Sequence, residues 1–94
     1  MEIRYYRDPE TGLPHIYGHG VTEAEAEWIL AHPVEDEACS EASRQALGKT
    51  AEGRYLRVIY VPDEEGDGVF VVTAYSVAGK QLKTFRRRQR RHGR

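Results

Sequence analysis

The stretch RYLRVIYV, residues 54–61, decides the fold, because β-branched and aromatic residues dominate it and such residues favour strands. A second stretch of this kind, VFVVTAY, spans residues 69–75, and the turn-forming segment 62–68 separates the two. Side chains alternate across a sheet, so each strand should have a core face and an opposite face. The expected core face carries Leu56, Val58, Tyr60, Phe70, Val72 and Ala74. The opposite face, with Tyr55, Arg57, Ile59, Val69, Val71, Thr73 and Tyr75, would be a nucleic-acid platform, an oligomer interface or a partner groove.

A capped helix is expected on the N-terminal side of these strands. Thr22 followed by Glu25 has the spacing of a capping box, in which each side chain satisfies a free backbone N–H of the first turn. Ala26, Ile29 and Leu30 recur at helical spacing and should face the core. Pro33 should end the helix near residues 31–32.

The remaining segments complete a single small domain, since 94 residues make one domain at most. Residues 2–6 and 44–50 have strand character, and the polar, acidic segment 35–43 is expected to be a connecting loop. We therefore predict an α+β domain over residues 1–79, in which an antiparallel meander packs against an N-terminal helix. The basic segment 80–94 would form a last strand or a helix and end in a loose tail at Arg90, Arg91 and Arg94.

Composition favours a soluble cytoplasmic protein. Cys39 is the single cysteine, so no internal disulfide can form. The first residues contain no apolar signal segment, and no apolar run approaches the roughly 20 residues that span a membrane. The sequence leaves the oligomeric state open.

The net charge of −1 conceals a strongly uneven distribution. Residues 1–79 carry 6 cationic side chains and all 15 acidic ones, a formal charge of −9. The final segment has no acid and eight cations: Lys80, Lys83, Arg86, Arg87, Arg88, Arg90, Arg91 and Arg94. Such a segment binds phosphates in a salt-dependent manner, so we favour RNA or the ribosome as the partner. The alternative is a solvated tail that keeps the protein soluble or pairs with its own acidic body.

Two separated motifs resemble those of the BrnT-type toxins. HGVT at residues 19–22, running into Glu25 and Ala26, is similar to the HGV-S/T…EA pattern at the start of that family's helix. GRYLRVIY at 53–60 and VVTAY at 71–75 resemble the strand pair GR-x-L-x-V-x-Y…I-x-S-A. The resemblance covers most of residues 15–88, and it extends to a related small family of uncharacterised toxin-like domains. Tyr75 stands where BrnT proteins carry Arg.

The resemblance implies a RelE-like fold and a metal-independent endoribonuclease, without cofactor, that acts as the toxin of a type II toxin–antitoxin pair. A cognate antitoxin protein would then be a second partner. The expected catalytic residues are Arg54, Arg57, Tyr75, Lys83 and Arg86, with His15 or His19 assisting. Attack of a ribose 2′-OH on the neighbouring phosphate needs a base, cations for the developing charge and an acid for the leaving oxygen.

Each of these residues also has a structural interpretation. Arg54 and Arg57 would bind a phosphate, or each would form a cross-strand pair with a carboxylate. His19 would act as an acid or base, or would orient the start of the helix through a hydrogen bond. Tyr75 would be a base, a stacking platform or a half-buried structural residue. His15 and His19 are four residues apart, but the surrounding glycines disfavour a helix and no third ligand is at hand, so no metal site is expected.

A second hypothesis therefore stands beside the toxin. The same basic surface would serve a non-catalytic module that binds RNA, the ribosome or a partner protein.

Overall fold

The computed structural model describes residues 1–92, so Arg94 lies outside the described part of the chain. A 3₁₀ helix at His15–His19 precedes two α-helices, α1 (Glu23–Ala31) and α2 (Gly79–His92). Five strands form one sheet: β1 (Ile3–Tyr5), β2 (Glu35–Ala38), β3 (Arg44–Lys49), β4 (Tyr55–Pro62) and β5 (Val69–Ser76).

The sheet has the order β1-β5-β4-β3-β2, which makes β4 its central strand. β1 lies parallel to β5, whereas the other neighbours are antiparallel, so the sheet is mixed. α1 packs on one face of the sheet against β3 and β4. α2 packs on the opposite face, where Phe85 meets residues of β3 and β4. The α+β class predicted from the sequence is confirmed.

The main core forms where α1 meets the sheet. Thr22 caps the helix by accepting from the Glu25 N–H at 3.1 Å, and the Glu25 carboxylate accepts from the Thr22 N–H at 3.0 Å, which is the predicted capping box. Ala26 and Ile29 are fully buried against Ala46, Leu56, Val58 and Ala74. Gly48 lets α1 approach closely, since a Cβ there would lie 3.2 Å from Ile29 Cδ1.

The core face predicted for the first half of β5 is wrong. Val69 and Val71 are buried in the core, whereas Phe70 and Val72 are only half-buried. The reason is an irregularity in the pairing of β4 with β5: Ile59 lies opposite Thr73, but Tyr60 lies opposite Val71. Val72 is an extra residue without a partner, and one extra residue inverts the alternation of faces on one side of the bulge.

The acidic segment expected to be a loop instead forms β2, an edge strand paired with β3. Its carboxylates find partners there, which compensates for the low strand propensity of acidic residues. Asp36 accepts from Arg44 Nε at 3.0 Å and from the Tyr60 hydroxyl at 2.6 Å, and Glu37 accepts from Gln45 at 3.1 Å. Desolvation and the hydrogen bond to Asp36 raise the pKa of Tyr60.

The basic segment is a helix that extends to His92, so Arg90 and Arg91 lie in α2 rather than in a loose tail. Phe85 fastens this helix to the sheet: it is 1 % exposed and packs with Leu47 and Val77, edge-on to the ring of Tyr55. The platform expected on this face is thus partly covered by the chain itself. Within residues 1–92, no helix is long and apolar enough to cross a membrane.

Replacement of Phe85 by alanine tests this docking. We expect Phe85→Ala to lower the free energy of unfolding by about 3 kcal/mol, because a buried aromatic side chain and its packing are lost. Urea unfolding followed by fluorescence measures the change. Gln81→Ala, at an exposed position of the same helix, should be nearly neutral. A loss below about 1 kcal/mol for Phe85→Ala would show that α2 is not held by this side chain.

Candidate functional site

Arg54 and Arg57, at the start of β4, have different surroundings. The sequence allowed the same two interpretations for each, a phosphate contact or a cross-strand pair with a carboxylate. Arg54 is neutralised: its Nη1 donates to both carboxylate oxygens of Glu25, at 2.9 and 3.0 Å. It also donates to the carbonyl of Gly20 at 2.9 Å and to the Ser76 hydroxyl at 3.0 Å. Arg54 therefore links the start of α1 to the start of β4 and the end of β5. It pairs with a carboxylate, but that carboxylate comes from α1 and not from a neighbouring strand.

Glu25 is held in its charged form by this arrangement. The hydrogen bond from the Thr22 backbone N–H is the largest cause that lowers the pKa of Glu25, and the Arg54 guanidinium lowers it further, against some desolvation. One carboxylate thus serves both the helix cap and the ion pair.

Arg57 lies on the central strand and is not neutralised. Its side chain is half-buried, and its Nε is buried without a hydrogen-bond partner in the described structure. Nη1 donates only to the Tyr75 hydroxyl, at a long 3.4 Å. Tyr75 is its partner across the β4–β5 pair, and the guanidinium carbon lies 5.9 Å from the centre of the Tyr75 ring. A half-buried cation without a counterion is costly, which marks it as a site for an incoming anion.

The other arginines of residues 1–79 each have a close hydrogen-bond partner. Arg4, Arg44 and Arg54 each pair with a carboxylate, and Arg7 donates to the carbonyl of Gly12. None of the salt bridges among the described residues includes Arg57.

A row of polar side chains continues from Arg57 and Tyr75 along β5. The 3₁₀ helix packs beside β5 and brings the ring of His19 to 6.3 Å from that of Tyr75, in an edge-on arrangement. The ring of His15 lies 5.0 Å from that of His19. Asp8 closes the row by contacting His15. We call these five residues, Asp8, His15, His19, Tyr75 and Arg57, the polar row.

The hydrogen bonds of the polar row define the roles of its imidazoles. The Asp8 carboxylate accepts from His15 Nδ1 at 2.7 Å, which places a proton on that nitrogen. The Nε2 atoms of His15 and His19 are 3.3 Å apart, so one of them must donate and the other accept. A carboxylate that orients one imidazole, which in turn contacts an exposed second one, is an arrangement able to move a proton.

A small pocket opens beside Arg57 on the side covered by α2. Its volume is about 200 Å³, and it is lined by Arg57, Lys80, Gln81, Thr84 and Arg88, which we call the basic pocket. Arg88 is paired with Glu35 at 2.8 Å, and this pair raises the pKa of Arg88, whereas Lys80 is exposed. Two cations and a hydroxyl thus remain available for an anion in this pocket.

The predicted site residues therefore lie in separate places. Arg57, Tyr75 and His19 come together, whereas Arg54 is engaged in the ion pair with Glu25 and contacts β5 at Ser76. Arg86 lies over the ring of Tyr55, with its guanidinium carbon 5.1 Å from the ring centre. The exposed outer face of α2 carries Lys83, Arg87 and Arg91.

Sequence reasoning missed Asp8 and Thr84. Asp8 stands in a Pro- and Gly-rich turn, and the turn geometry that carries it to His15 leaves no spacing signal in the sequence. Among residues 1–92, no group of three or more His, Cys, Asp or Glu side chains has a geometry that could hold a metal ion.

The Glu25 carboxylate should make stability depend on pH. Because its pKa is lowered in the folded protein, its contribution is present above the ordinary value of about 4.3 and is lost as the pH falls through the folded-state value. We expect Glu25→Gln to cost about 1 kcal/mol at neutral pH and a smaller amount at about pH 3. Urea unfolding at the two pH values measures this, with the exposed Glu41→Gln as the charge-matched control. Equal losses for Glu25→Gln at both pH values would contradict it.

The contrast between the two arginines predicts opposite effects on stability. Arg57→Met removes an unpaired, half-buried charge and should leave the unfolding free energy unchanged or raised by up to about 1 kcal/mol. Arg54→Met strands the Glu25 carboxylate and should lower it by about 2 kcal/mol. Thermal and urea unfolding of both variants test this. Destabilisation of Arg57→Met as large as that of Arg54→Met would mean that Arg57 has a structural role.

Comparison with known proteins assigns no role to these residues. No protein-family model matches the chain, and neither a curated protein nor a solved structure is detectably similar to it. The polar row and the basic pocket are therefore interpreted from their own geometry.

Proposed function

We propose that this protein binds RNA in the cytoplasm and cleaves it without a metal ion, using the polar row. One observation carries the proposal: in the part of the chain that the structure describes, Arg57 is half-buried and has no carboxylate partner, beside Tyr75 and His19. The polar row holds one acid, Asp8, which is bonded to His15, and the residues that line the basic pocket include no acid. The anion that fits is a phosphodiester, since a guanidinium can contact two of its oxygens at once.

RNA carries the nucleophile that this chemistry needs. The ribose 2′-oxygen attacks the adjacent phosphorus while the bond from phosphorus to the 5′-oxygen breaks, which leaves a 2′,3′-cyclic phosphate and a 5′-hydroxyl. The step requires removal of the 2′-OH proton, stabilisation of the phosphorane charge and a proton for the leaving oxygen.

The polar row offers a group for each requirement. His19, exposed and in contact with His15, takes the 2′-OH proton. Arg57 stabilises the charge on the phosphorane, with Lys80 as the second cation of the basic pocket. The Tyr75 hydroxyl, bonded to Arg57, gives its proton to the 5′-oxygen. The proton balance closes when the His19 imidazolium returns its proton to the phenolate after the products leave.

The exposed face of α2 supplies binding rather than chemistry. Lys83, Arg87 and Arg91 recur at helical spacing on it, and cations in such a row follow a phosphate backbone. These residues are expected to raise affinity without specifying sequence, because phosphate contacts position the ligand.

The order of the helix and strands supports this proposal. An antiparallel meander, β2 to β5, packed against an N-terminal helix is what the BrnT resemblance implies for a RelE-like fold. We extend the proposal accordingly: the protein is the toxin of a type II pair, and its antitoxin covers the basic face of α2.

The second candidate function is RNA binding without cleavage. The observation that favours it is the openness of the polar row, since His19 is exposed and water would have access to any reacting phosphate. In that case Arg57 and Lys80 would serve as phosphate contacts alone.

The proposal is tested with purified protein and end-labelled single-stranded RNA in excess EDTA. We expect cleavage that ends in a cyclic phosphate, and a loss of at least about 100-fold in rate for Arg57→Met. Tyr75→Phe and His19→Gln should lower the rate by a similar order while the RNA still binds. Arg4→Gln, which removes an arginine paired with Asp63 elsewhere in the sheet, is the control and should cleave normally.

The outcomes separate the two candidates. Binding that is weakened by Arg57→Met, without any cleavage, would replace the nuclease by the binding module. Cleavage that survives all three substitutions would show that the polar row is not the site. Growth arrest on expression of the wild type, relieved by Arg57→Met, would support the toxin.

A further inference from the structure

A second groove lies on the other side of α2 from the basic pocket. Its volume is about 530 Å³, and its walls include Val34, Lys49, Tyr55, Phe85, Arg86 and Arg90. We call it the tyrosine groove. The two cavities have no lining residue in common, because positions 80, 81, 84 and 88 of α2 face one and positions 85, 86, 89 and 90 face the other.

The tyrosine groove is cationic, and its charge is not neutralised. Three cations line it, and its lining residues within the described range include no acid. None of the three forms a salt bridge in residues 1–92. Two of them instead lie over the Tyr55 ring: Lys49 Nζ is 5.6 Å from the ring centre and the Arg86 guanidinium carbon is 5.1 Å from it.

The same groove offers a flat apolar wall. Tyr55 is half-buried, supported from beneath by the edge-on ring of Phe85. Val34 is 47 % exposed at the rim and adds an aliphatic side chain beside the ring. Aromatic faces bind planar ligands by stacking, and arginine adds both stacking and charge.

We infer that the tyrosine groove binds a nucleotide. The base lies against Tyr55 and Val34, and the phosphate is held by Arg86, Arg90 and Lys49. A base that stacks on Tyr55 displaces one of the two cations from the ring, which frees that cation for the phosphate. The volume lies within the range of about 300–1,000 Å³ that is usual for small-ligand sites. The nucleotide is either free or one unit of an RNA strand, and both present the same chemistry.

This inference is independent of cleavage at the polar row. If the nucleotide belongs to an RNA strand, the strand would contact the tyrosine groove on one side of α2 and the basic pocket on the other. If the source is a free nucleotide, the groove is a ligand site in its own right.

Chemical-shift titration of the isotope-labelled full-length protein tests the groove. The probes are AMP, adenosine, inorganic phosphate, a short oligoadenylate and a polyglutamate peptide. We expect AMP or the oligoadenylate to shift the signals of Tyr55, Lys49 and Arg86, with adenosine and phosphate each at least about tenfold weaker than AMP. Shifts with both AMP and the oligoadenylate, or with the oligoadenylate alone, identify a strand unit. Shifts with AMP alone identify a free nucleotide.

A matched pair of double variants isolates the groove from general charge effects. Arg86→Ala with Arg90→Ala removes two groove cations, and Arg4→Gln with Arg7→Gln removes two cations at and just after β1 that do not line the groove. The first should weaken nucleotide binding at least about tenfold and the second less than about threefold. Circular dichroism checks that both variants keep α2.

Several results would overturn the inference. Equal weakening by the two double variants would show a diffuse electrostatic effect, and phosphate binding as tightly as AMP would show a simple anion patch. Polyglutamate shifting the same signals as strongly as AMP would assign the groove to an acidic protein partner. Absence of shifts at Tyr55 with every nucleotide would remove the site, whether or not the polar row cleaves RNA.

Discussion

Phe85 holds the basic segment against the sheet, and the arrangement of charge on this protein depends on that contact. Its ring is buried among Leu47, Val77 and Tyr55, which form a second, smaller core on the face opposite α1. The Arg88–Glu35 pair adds an electrostatic link from α2 to the edge strand. Because Phe85 and Leu82 form the apolar side of a largely cationic helix, their contact with the sheet orients the cations, some toward two cavities and others toward solvent.

Selective neutralisation is the second organising feature. The acidic body has enough carboxylates to pair each of its arginines, and it pairs Arg4, Arg44 and Arg54. Among residues 1–92, Arg57 on the central strand has the Tyr75 hydroxyl as its hydrogen-bond partner and no carboxylate. A charge left unpaired where pairing was available costs stability, and functional sites are where proteins carry such costs.

The two cavities beside α2 belong to one electrostatic surface. The body attracts the helix through its excess of acids, while the cations lining the cavities remain accessible to a ligand. Arg88 is the exception, because it donates hydrogen bonds to both carboxylate oxygens of Glu35. A phosphate in the basic pocket would compete with Glu35 for Arg88, so ligand binding and the attachment of α2 are physically linked.

Local features of the sequence determined much of the molecule by themselves. The strands at 54–61 and 69–75, the cap at Thr22 and the turn at 62–68 each depend on neighbours a few residues away, so their patterns are readable. The segregation of charge, and the presence of a basic segment after residue 79, are properties of composition. The resemblance suggested that Arg57, Tyr75 and His19 belong to one site, and in the structure these three side chains lie close together.

Tertiary structure alone decided the rest, because each decision depends on residues far apart in the chain. The bulge at Val72 inverts half of β5 to suit the register of β4, and the acids of β2 become a strand because Arg44 and Tyr60 receive them. Arg54 meets Glu25 across 29 positions and is neutralised, whereas Arg57, three residues on, forms no salt bridge within residues 1–92. Pairing between distant side chains leaves no periodic trace in a sequence, so only the folded chain separates the structural arginine from the one available to a ligand.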